Sequence, residues 1–305
     1  MNSRKALFIA GLCAALLVLA AVLVLLRLKG GEGTSEIADT SAVILETAIQ
    51  TEAAEWSVVA DNSEDDISSY LSYSLDTADD CREVLSLYAA DHGFDIFAYP
   101  NEVVNFLIKN HEALEFVLRY PELAGSQDDI DVVKDIDVSG DFSPLKVPYY
   151  YQYDLRWGYR SYADGLLGIN GSGPTALSMV ASYLTGNSDF NPAWVAMYSE
   201  NNGYSMTGGT SWTLMSDGAY NLGIDVTAIS ADQQRIDNNL DVGNLVMCLM
   251  GPGDFTDTVQ YIVIVGKTDE GYEIRDPGSP ERSAAYWSFD TLASQMTGCW
   301  VMRIL

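Results

Sequence analysis

The chain has 305 residues, 48% of them hydrophobic, which is enough for one domain with a substantial core and a smaller appendage. Its 43 acidic and 16 basic side chains give a formal net charge of -27 at pH 7. A charge of this sign repels nucleic acids and anionic lipid headgroups, so we expect no nucleic-acid partner.

Residues 1–29 have the composition of a transmembrane signal anchor. Two basic residues precede an uncharged apolar run over 6–26, and Arg27 and Lys29 follow it. As a helix, this run would be roughly 31 Å long, close to the hydrocarbon thickness of about 30 Å. A cleaved signal peptide usually has a shorter apolar region, of about 7 to 15 residues. The sequence predicts a single-pass cell-membrane protein, and the large part that follows favours an extracytoplasmic C-terminal domain.

Two further segments precede the main domain. Residues 30–69 are acidic and of low complexity, which predicts a stalk. Residues 70–143 predict a small helical segment with an acidic connector. Thr77 is placed to cap a first helix that ends near Gly93, and apolar residues recur at helical spacing over 101–120.

The main domain, 144–305, changes character along its length. Pro174 and Pro192 suit the first turns of helices, and alternating or apolar runs bounded by turn residues come later. Helices followed by antiparallel strands predict an α+β fold. The predicted strands are 244–250, 259–265, 272–275 and 300–304.

Four short motifs lie in this domain in a distinctive order. The first contains Gln152, the second contains Ser172, the third begins with Gly-Pro-Gly and leads to Gln260, and the fourth contains Asp276. They occupy residues 147–158, 171–175, 251–266 and 275–278.

In order and spacing these motifs resemble the bacterial C-39-like branch of the papain-like cysteine peptidases, relatives of the domains that trim bacteriocin leader peptides. The resemblance covers about residues 144–305. It implies a papain-like α+β fold, with N-terminal helices and an antiparallel sheet. It also implies that Gln152 helps to form an oxyanion hole and that Asp276 is the acid that orients a catalytic histidine.

The resemblance also places two substitutions at the catalytic positions. The family has a cysteine where this chain has Ser172, and a histidine where it has Gln260. A helix N-terminus lowers the pKa of a thiol, whereas a serine hydroxyl needs an adjacent general base. The sequence contains two histidines, His92 and His111, and both precede the main domain.

The favoured interpretation is therefore a membrane-anchored pseudopeptidase that binds a peptide or a cell-envelope ligand without cutting it. The alternatives are a serine hydrolase, in which Lys146 or Lys267 activates Ser172, and a purely structural or assembly protein. Aromatic residues suit a ligand groove because they offer contact area with a polar group. The candidates for such a groove are Tyr151, Trp157 and Trp212.

The cysteines leave a further alternative open. Cys248 and Cys299 each lie in a predicted strand, and could form a disulfide if those strands are neighbours. Otherwise they are two buried thiols. No cofactor and no metal ion is expected, since the sequence contains no zinc cluster, phosphate loop or Rossmann motif.

Overall fold

The computed structural model describes residues 67–129, 133 and 135–305. Residues Tyr70–Leu305 form one compact unit. Its α-helices are α1 (Ala78–His92), α2 (Asn101–Lys109), α3 (Leu114–Leu118), α4 (Tyr120–Leu123), α5 (Leu167–Asn170), α6 (Ser172–Thr185), α7 (Pro192–Asn201), α8 (Asp217–Asn221), α9 (Gln233–Leu240), α10 (Pro280–Ala284) and α11 (Phe289–Gln295).

A five-stranded antiparallel sheet forms the centre of the domain. Its strands are β5 (Ile224–Ala228), β6 (Leu245–Met250), β7 (Gln260–Thr268), β8 (Gly271–Arg275) and β9 (Met296–Ile304). They lie in the order β5-β9-β6-β7-β8. Two short hairpins lie outside this sheet: β1 (Ser161–Tyr162) with β2 (Gly165–Leu166), and β3 (Ser205–Met206) with β4 (Gly209–Thr210). The predicted α+β class is confirmed.

Alternate residues of the central strands enter two separate cores, because successive side chains point to opposite faces of a sheet. Met247 and Val263 pack on the face covered by α6. Val246 and Ile262 pack on the opposite face, which is covered by α9 and α11 through Ile236 and Leu292. Helix α6 is thereby held against one face of the sheet, and its N-terminus carries Ser172.

The first predicted helix is confirmed almost to the residue. Thr77 accepts the N–H of Asp80 at 3.1 Å, and the Asp80 carboxylate accepts the N–H of Thr77 at 2.9 Å, which completes a capping box. Gly93 ends the helix in the left-handed conformation, with φ of 74°.

The helical region predicted over 101–120 is present, but it consists of several short helices. Helix α2 stops at Lys109, because Asn110 adopts the non-helical angles φ -136° and ψ 77°. A 3₁₀ turn at His111–Ala113 and the short helix α3 follow it. The Asn110 side chain donates to the carbonyl of Phe106 at 3.0 Å and so satisfies one of the carbonyls at the helix end.

The helical segment packs directly on the main domain through Phe116. This ring is buried and stacks on Tyr159 with 4.8 Å between the ring centroids. The hydroxyl group of Tyr159 donates to the carbonyl of Phe116 at 3.0 Å. The Phe116 ring also lies against the backbone of Gly158 and Gly168, where any side chain would collide with it. The absence of a Cβ at these glycines makes the docking possible.

We expect Gly168→Ala to lower the free energy of unfolding by about 1 to 3 kcal/mol, because overpacking a close contact forces its surroundings to shift. The new methyl group would lie 2.7 Å from Cε2 of Phe116. Gly140→Ala is the matched control, since no atom lies within 4 Å of the position of its Cβ. Urea unfolding of both variants checks this, and equal stability would contradict the docking.

The predicted single-pass membrane localisation is corrected here. Within the described ranges, no helix is both long enough and apolar enough to cross a bilayer, which takes about 20 apolar residues. Residues 1–29, on which that prediction depended, lie outside the described residues, as does nearly all of the predicted stalk over 30–69.

Candidate functional site

Ser172, Gln260, Asp276 and Gln152 come together although up to 124 positions separate them in the sequence. Ser172 is the first residue of α6, and Gln260 is the first residue of β7. Asp276 directly follows β8, and Gln152 lies in the segment that precedes β1. All four side chains are buried, with at most 9% of their surface exposed. The structure therefore brings together every triad position that the sequence predicted.

Ser172 lies where an activated nucleophile would lie. Its Oγ accepts the backbone N–H of Tyr261 at 3.3 Å. Close packing holds the start of the helix, because a Cβ at Gly173 would lie 2.6 Å from both Cβ and Oγ1 of Thr210. A hydroxyl group gains little from this setting, because it stays protonated unless a base removes its proton.

Gln260 occupies the position of the base but cannot act as one. Its Nε2 donates to Oδ1 of Asp276 at 2.9 Å and to Oε1 of Gln152 at 3.5 Å. An amide nitrogen is a donor only, and its carbonyl oxygen does not take up a proton near neutral pH. The side chain therefore reproduces the hydrogen bond of an imidazole N–H to the acid, without its basicity.

Asp276 is the most enclosed member of the site, with no exposed surface. Burial raises the pKa of its carboxyl group, and the charge and hydrogen bond of Arg282 oppose this rise. The Nε of Arg282 donates to Oδ2 at 2.5 Å, and the N–H of Gly278 donates to Oδ1 at 2.8 Å. The guanidinium of Arg282 therefore balances the negative charge of Asp276. In a catalytic triad, a histidine would supply this positive charge instead.

Gln152 does not have a free amide group for an oxyanion. Its Nε2 donates to the carbonyl of Gly168 at 3.0 Å and to the carbonyl of Ile169 at 2.9 Å. Two carbonyl acceptors can be met only by the NH₂ end of the amide, which has two hydrogens. Both N–H groups of the Gln152 amide therefore bond to backbone carbonyls. Neither is available to an oxyanion, so the expected oxyanion role does not fit this arrangement.

The two histidines do not replace the missing base. The ring of His92 stacks on Tyr88 in α1, with 3.8 Å between the centroids. His111 lies in the 3₁₀ turn, and its Nε2 is 3.1 Å from the carbonyl of Ile108. Neither residue is among the described residues that line the cavity at Ser172.

A cavity of about 550 Å³ opens beside Ser172. One wall comes from α2, which contributes Phe106 and Lys109. The other wall comes from the loop 251–259, and the Nζ of Lys109 pairs with Oδ2 of Asp257 across the two walls at 2.7 Å. A second cavity of about 560 Å³ adjoins the first. The residues that line both are Glu102, Ile169, Asn170 and Gly208. We call the two cavities together the groove.

The three aromatic residues predicted to line a ligand groove lie in three different environments. Trp157 has no exposed surface, and its Nε1 donates to the carbonyl of Tyr151 at 2.9 Å, so it belongs to the core and not to a groove. Tyr151 lines a separate cavity of about 400 Å³, away from Ser172. Trp212 is 62% exposed but is not among the described residues that line the groove. Sequence spacing alone could not separate core aromatics from exposed ones.

Sequence reasoning missed the polar contacts that connect the helical segment to Asp276. Arg282 donates to Oδ1 of Asn110 at 3.3 Å as well as to Asp276. The Ser279 hydroxyl donates to Glu112 at 2.6 Å. A Cβ at Gly278 would lie 2.7 Å from Nε2 of Gln260, so the glycine leaves room for this side chain. No local pattern marks Arg282, since its partner is six residues away and its second contact is in another segment.

Comparisons with known proteins found a similar solved structure and a matching family. The peptidase domain of Streptococcus ComA, a bi-functional ABC transporter involved in a quorum sensing pathway, is similar at 22% sequence identity and a TM-score of 0.36. The match covers 44% of this chain and 91% of the ComA chain. No curated protein matches the sequence. Residues 144–303, just over half of the chain, match the Peptidase_C39 like family. The chain therefore belongs to the Peptidase_C39 like family.

Proposed function

We propose that this protein is a pseudopeptidase, which binds an extended peptide in the groove beside Ser172 and does not cleave it. The observation that carries this proposal is the hydrogen bond from Nε2 of Gln260 to Asp276. An amide at the base position cannot remove the proton of Ser172. In a well-studied serine protease, loss of the nucleophile or the base costs about a millionfold in turnover.

The serine hydrolase alternative needs a lysine near Ser172, and the two lysines named for it from the sequence lie elsewhere. Lys109 does line the cavity beside Ser172, but its Nζ pairs with Oδ2 of Asp257 at 2.7 Å. Nζ of Lys267 pairs with Oδ2 of Asp237 at 2.8 Å, and this hydrogen bond raises the pKa of Lys267. A general base needs a lowered lysine pKa instead. Lys146 lines the separate 400 Å³ cavity with Tyr151. These contacts favour binding over hydrolysis.

The groove has the dimensions and the surface that suit a peptide. Its two adjoining cavities, of about 550 and 560 Å³, are each within the usual size range of ligand sites. Amide and hydroxyl side chains such as Asn105 and Thr258 can bond to a peptide backbone. Phe106 and Val259 provide apolar surface, and Val259 is 56% exposed.

We expect Val259→Trp to reduce peptide retention at least about tenfold, because an indole at the groove wall would fill space that the ligand needs; tenfold corresponds to about 1.4 kcal/mol. Val242→Trp is the matched control, since Val242 is 73% exposed and follows α9, a helix on the opposite face of the sheet. Immobilised full-length protein would be incubated with a diverse peptide library, and the retained peptides identified by mass spectrometry.

Two outcomes would count against peptide binding in the groove. Equal retention by both tryptophan variants would place the ligand outside the groove. A wild-type protein that retains no peptide would favour the structural or assembly role instead.

A further inference from the structure

Strands β6 and β9 bring two cysteines face to face. Cys248 and Cys299 are direct partners in the antiparallel register. Both are free thiols and both are buried in the core on the face of the sheet opposite α6. The question that the sequence left open, whether their strands are neighbours, is therefore answered by the sheet order.

The backbone hydrogen bonds indicate that Cys248 and Cys299 are a non-hydrogen-bonded pair of the antiparallel ladder. The carbonyl of Cys299 accepts the N–H of Ile229 at 2.9 Å, on the β5 side of β9. In an antiparallel strand the N–H and C=O of one residue point to the same side, so Cys299 makes no ladder bond to β6. Opposite residues at such a position have Cα atoms about 4.5 Å apart, within the range of about 4.4 to 6.8 Å that a disulfide requires.

The two thiols also interact chemically. A hydrogen bond with Cys248 lowers the pKa of the Cys299 thiol, while burial opposes this shift. A lower pKa increases the thiolate fraction, and the thiolate is the species that attacks a disulfide.

We propose that Cys248 and Cys299 form a cross-strand disulfide by exchange with a low-molecular-weight disulfide such as oxidised glutathione. The Cys299 thiolate attacks one glutathione sulfur, breaks its S–S bond and releases one glutathione thiolate. The Cys248 thiol then gives up its proton and attacks the Cys299 sulfur of the mixed disulfide, which breaks that S–S bond and releases the second glutathione. The two cysteines lose two protons and two electrons in total, and one glutathione disulfide becomes two thiols.

The cross-link would reinforce the strand that leads into one wall of the groove. It joins the strand that leads into the loop 251–259 to the strand that follows Gln260 and Asp276 in the chain. The N–H of Gly251 already donates to the carbonyl of Gln295 at 2.8 Å across the same junction. Since a disulfide constrains the unfolded chain, we expect the oxidised protein to unfold about 5 to 10 °C higher than the reduced protein.

The test uses two samples of full-length protein. One is incubated with oxidised glutathione in the folded state, and the other is refolded in a glutathione redox buffer. Thiols would be alkylated after denaturation and peptides mapped by mass spectrometry. We expect a peptide that links residues 248 and 299, with Cys81 alkylated as an internal reference. The link and the rise in unfolding temperature should be absent after treatment with dithiothreitol, and absent in Cys299→Ser. Alkylation of both cysteines in both samples, or a link from either to Cys13 or Cys81, would overturn the proposal.

Discussion

The double substitution Ser172→Cys with Gln260→His is expected to make residue 172 a reactive thiolate, alkylated at pH 7 at least about tenfold faster than in Ser172→Cys alone. An ordinary thiol, with a pKa of about 8.5, is only a few per cent thiolate at this pH, and a paired imidazolium lowers that pKa. The new histidine would lie beside Asp276, whose Oδ1 now accepts from Gln260 at 2.9 Å. The acid and the helix N-terminus needed for the ion pair are already in place.

The rate of reaction with iodoacetamide, followed from pH 5 to 9 by mass spectrometry of the full-length protein, measures this effect. Gln260→His alone is the control, because it adds the base without the thiol. Cys81, which is buried in α1, should stay unlabelled in every sample and so reports that the fold is intact. If the double variant reacts no faster than Ser172→Cys, residues 172 and 260 are not in the relative position that the ion pair requires.

The second large effect is expected from Arg282→Ala, which should lower the free energy of unfolding at pH 8 by about 3 kcal/mol or more. The substitution leaves the fully buried carboxylate of Asp276 without its cation, and an unpaired buried charge is strongly destabilising. Arg303→Ala is the matched control, because Arg303 and Asp225 form an exposed pair, with side chains 42% and 35% exposed. Exposed pairs contribute about 0 to 1 kcal/mol.

The loss of unfolding free energy in Arg282→Ala should also depend on pH, and it should become smaller as the pH falls. Burial raises the pKa of Asp276 in the folded protein, and Arg282 opposes this, so its removal raises the pKa further. A folded-state pKa above the unfolded value means that the folded chain binds the proton more tightly, and stability is lost as pH rises through the folded pKa. The difference between variant and wild type should therefore shrink between pH 8 and pH 5. Urea unfolding across this range tests it, and a deficit that grows on acidification would contradict it.

The sequence predicted those parts of the fold that local signals define. The capping box at Thr77 and the left-handed Gly93 delimit α1 because all the interactions concerned lie within one helix. The apolar run that became β6 lies in the middle of the sheet, where both faces are covered, and its burial follows from composition alone. The edge strand β5 was missed, because only its pairing with β9 distinguishes it from a loop.

Elements defined by distant contacts could not be predicted. The apolar spacing over 101–120 does not indicate the helix break at Asn110. The break appears only in the folded chain, where the Asn110 side chain accepts a hydrogen bond from Arg282. The packing of Phe106 and Phe116 against Tyr153 depends on the docking of the helical segment, which no spacing within that segment indicates. Trp157 was misjudged for the same reason, since periodicity does not say which aromatic enters the core.

At the site, residue identity was predictable and hydrogen bonding was not. The motifs placed Ser172, Gln260 and Asp276 together, and the structure does so. That both amide hydrogens of Gln152 bond to backbone carbonyls depends on the path of the chain at Gly168 and Ile169. Three features support the proposed loss of catalysis: a hydroxyl for a thiol, an amide for an imidazole, and a Gln152 amide whose hydrogens are already bonded.

The most direct test of the central claim is a search for cleavage. Full-length wild-type protein and Ser172→Ala would be incubated in parallel with the peptide library used for retention, and new peptide termini would be counted by mass spectrometry. A pseudopeptidase should produce no new termini with either protein, while the wild type retains peptides. New termini that appear with the wild type and disappear with Ser172→Ala would establish a serine peptidase instead.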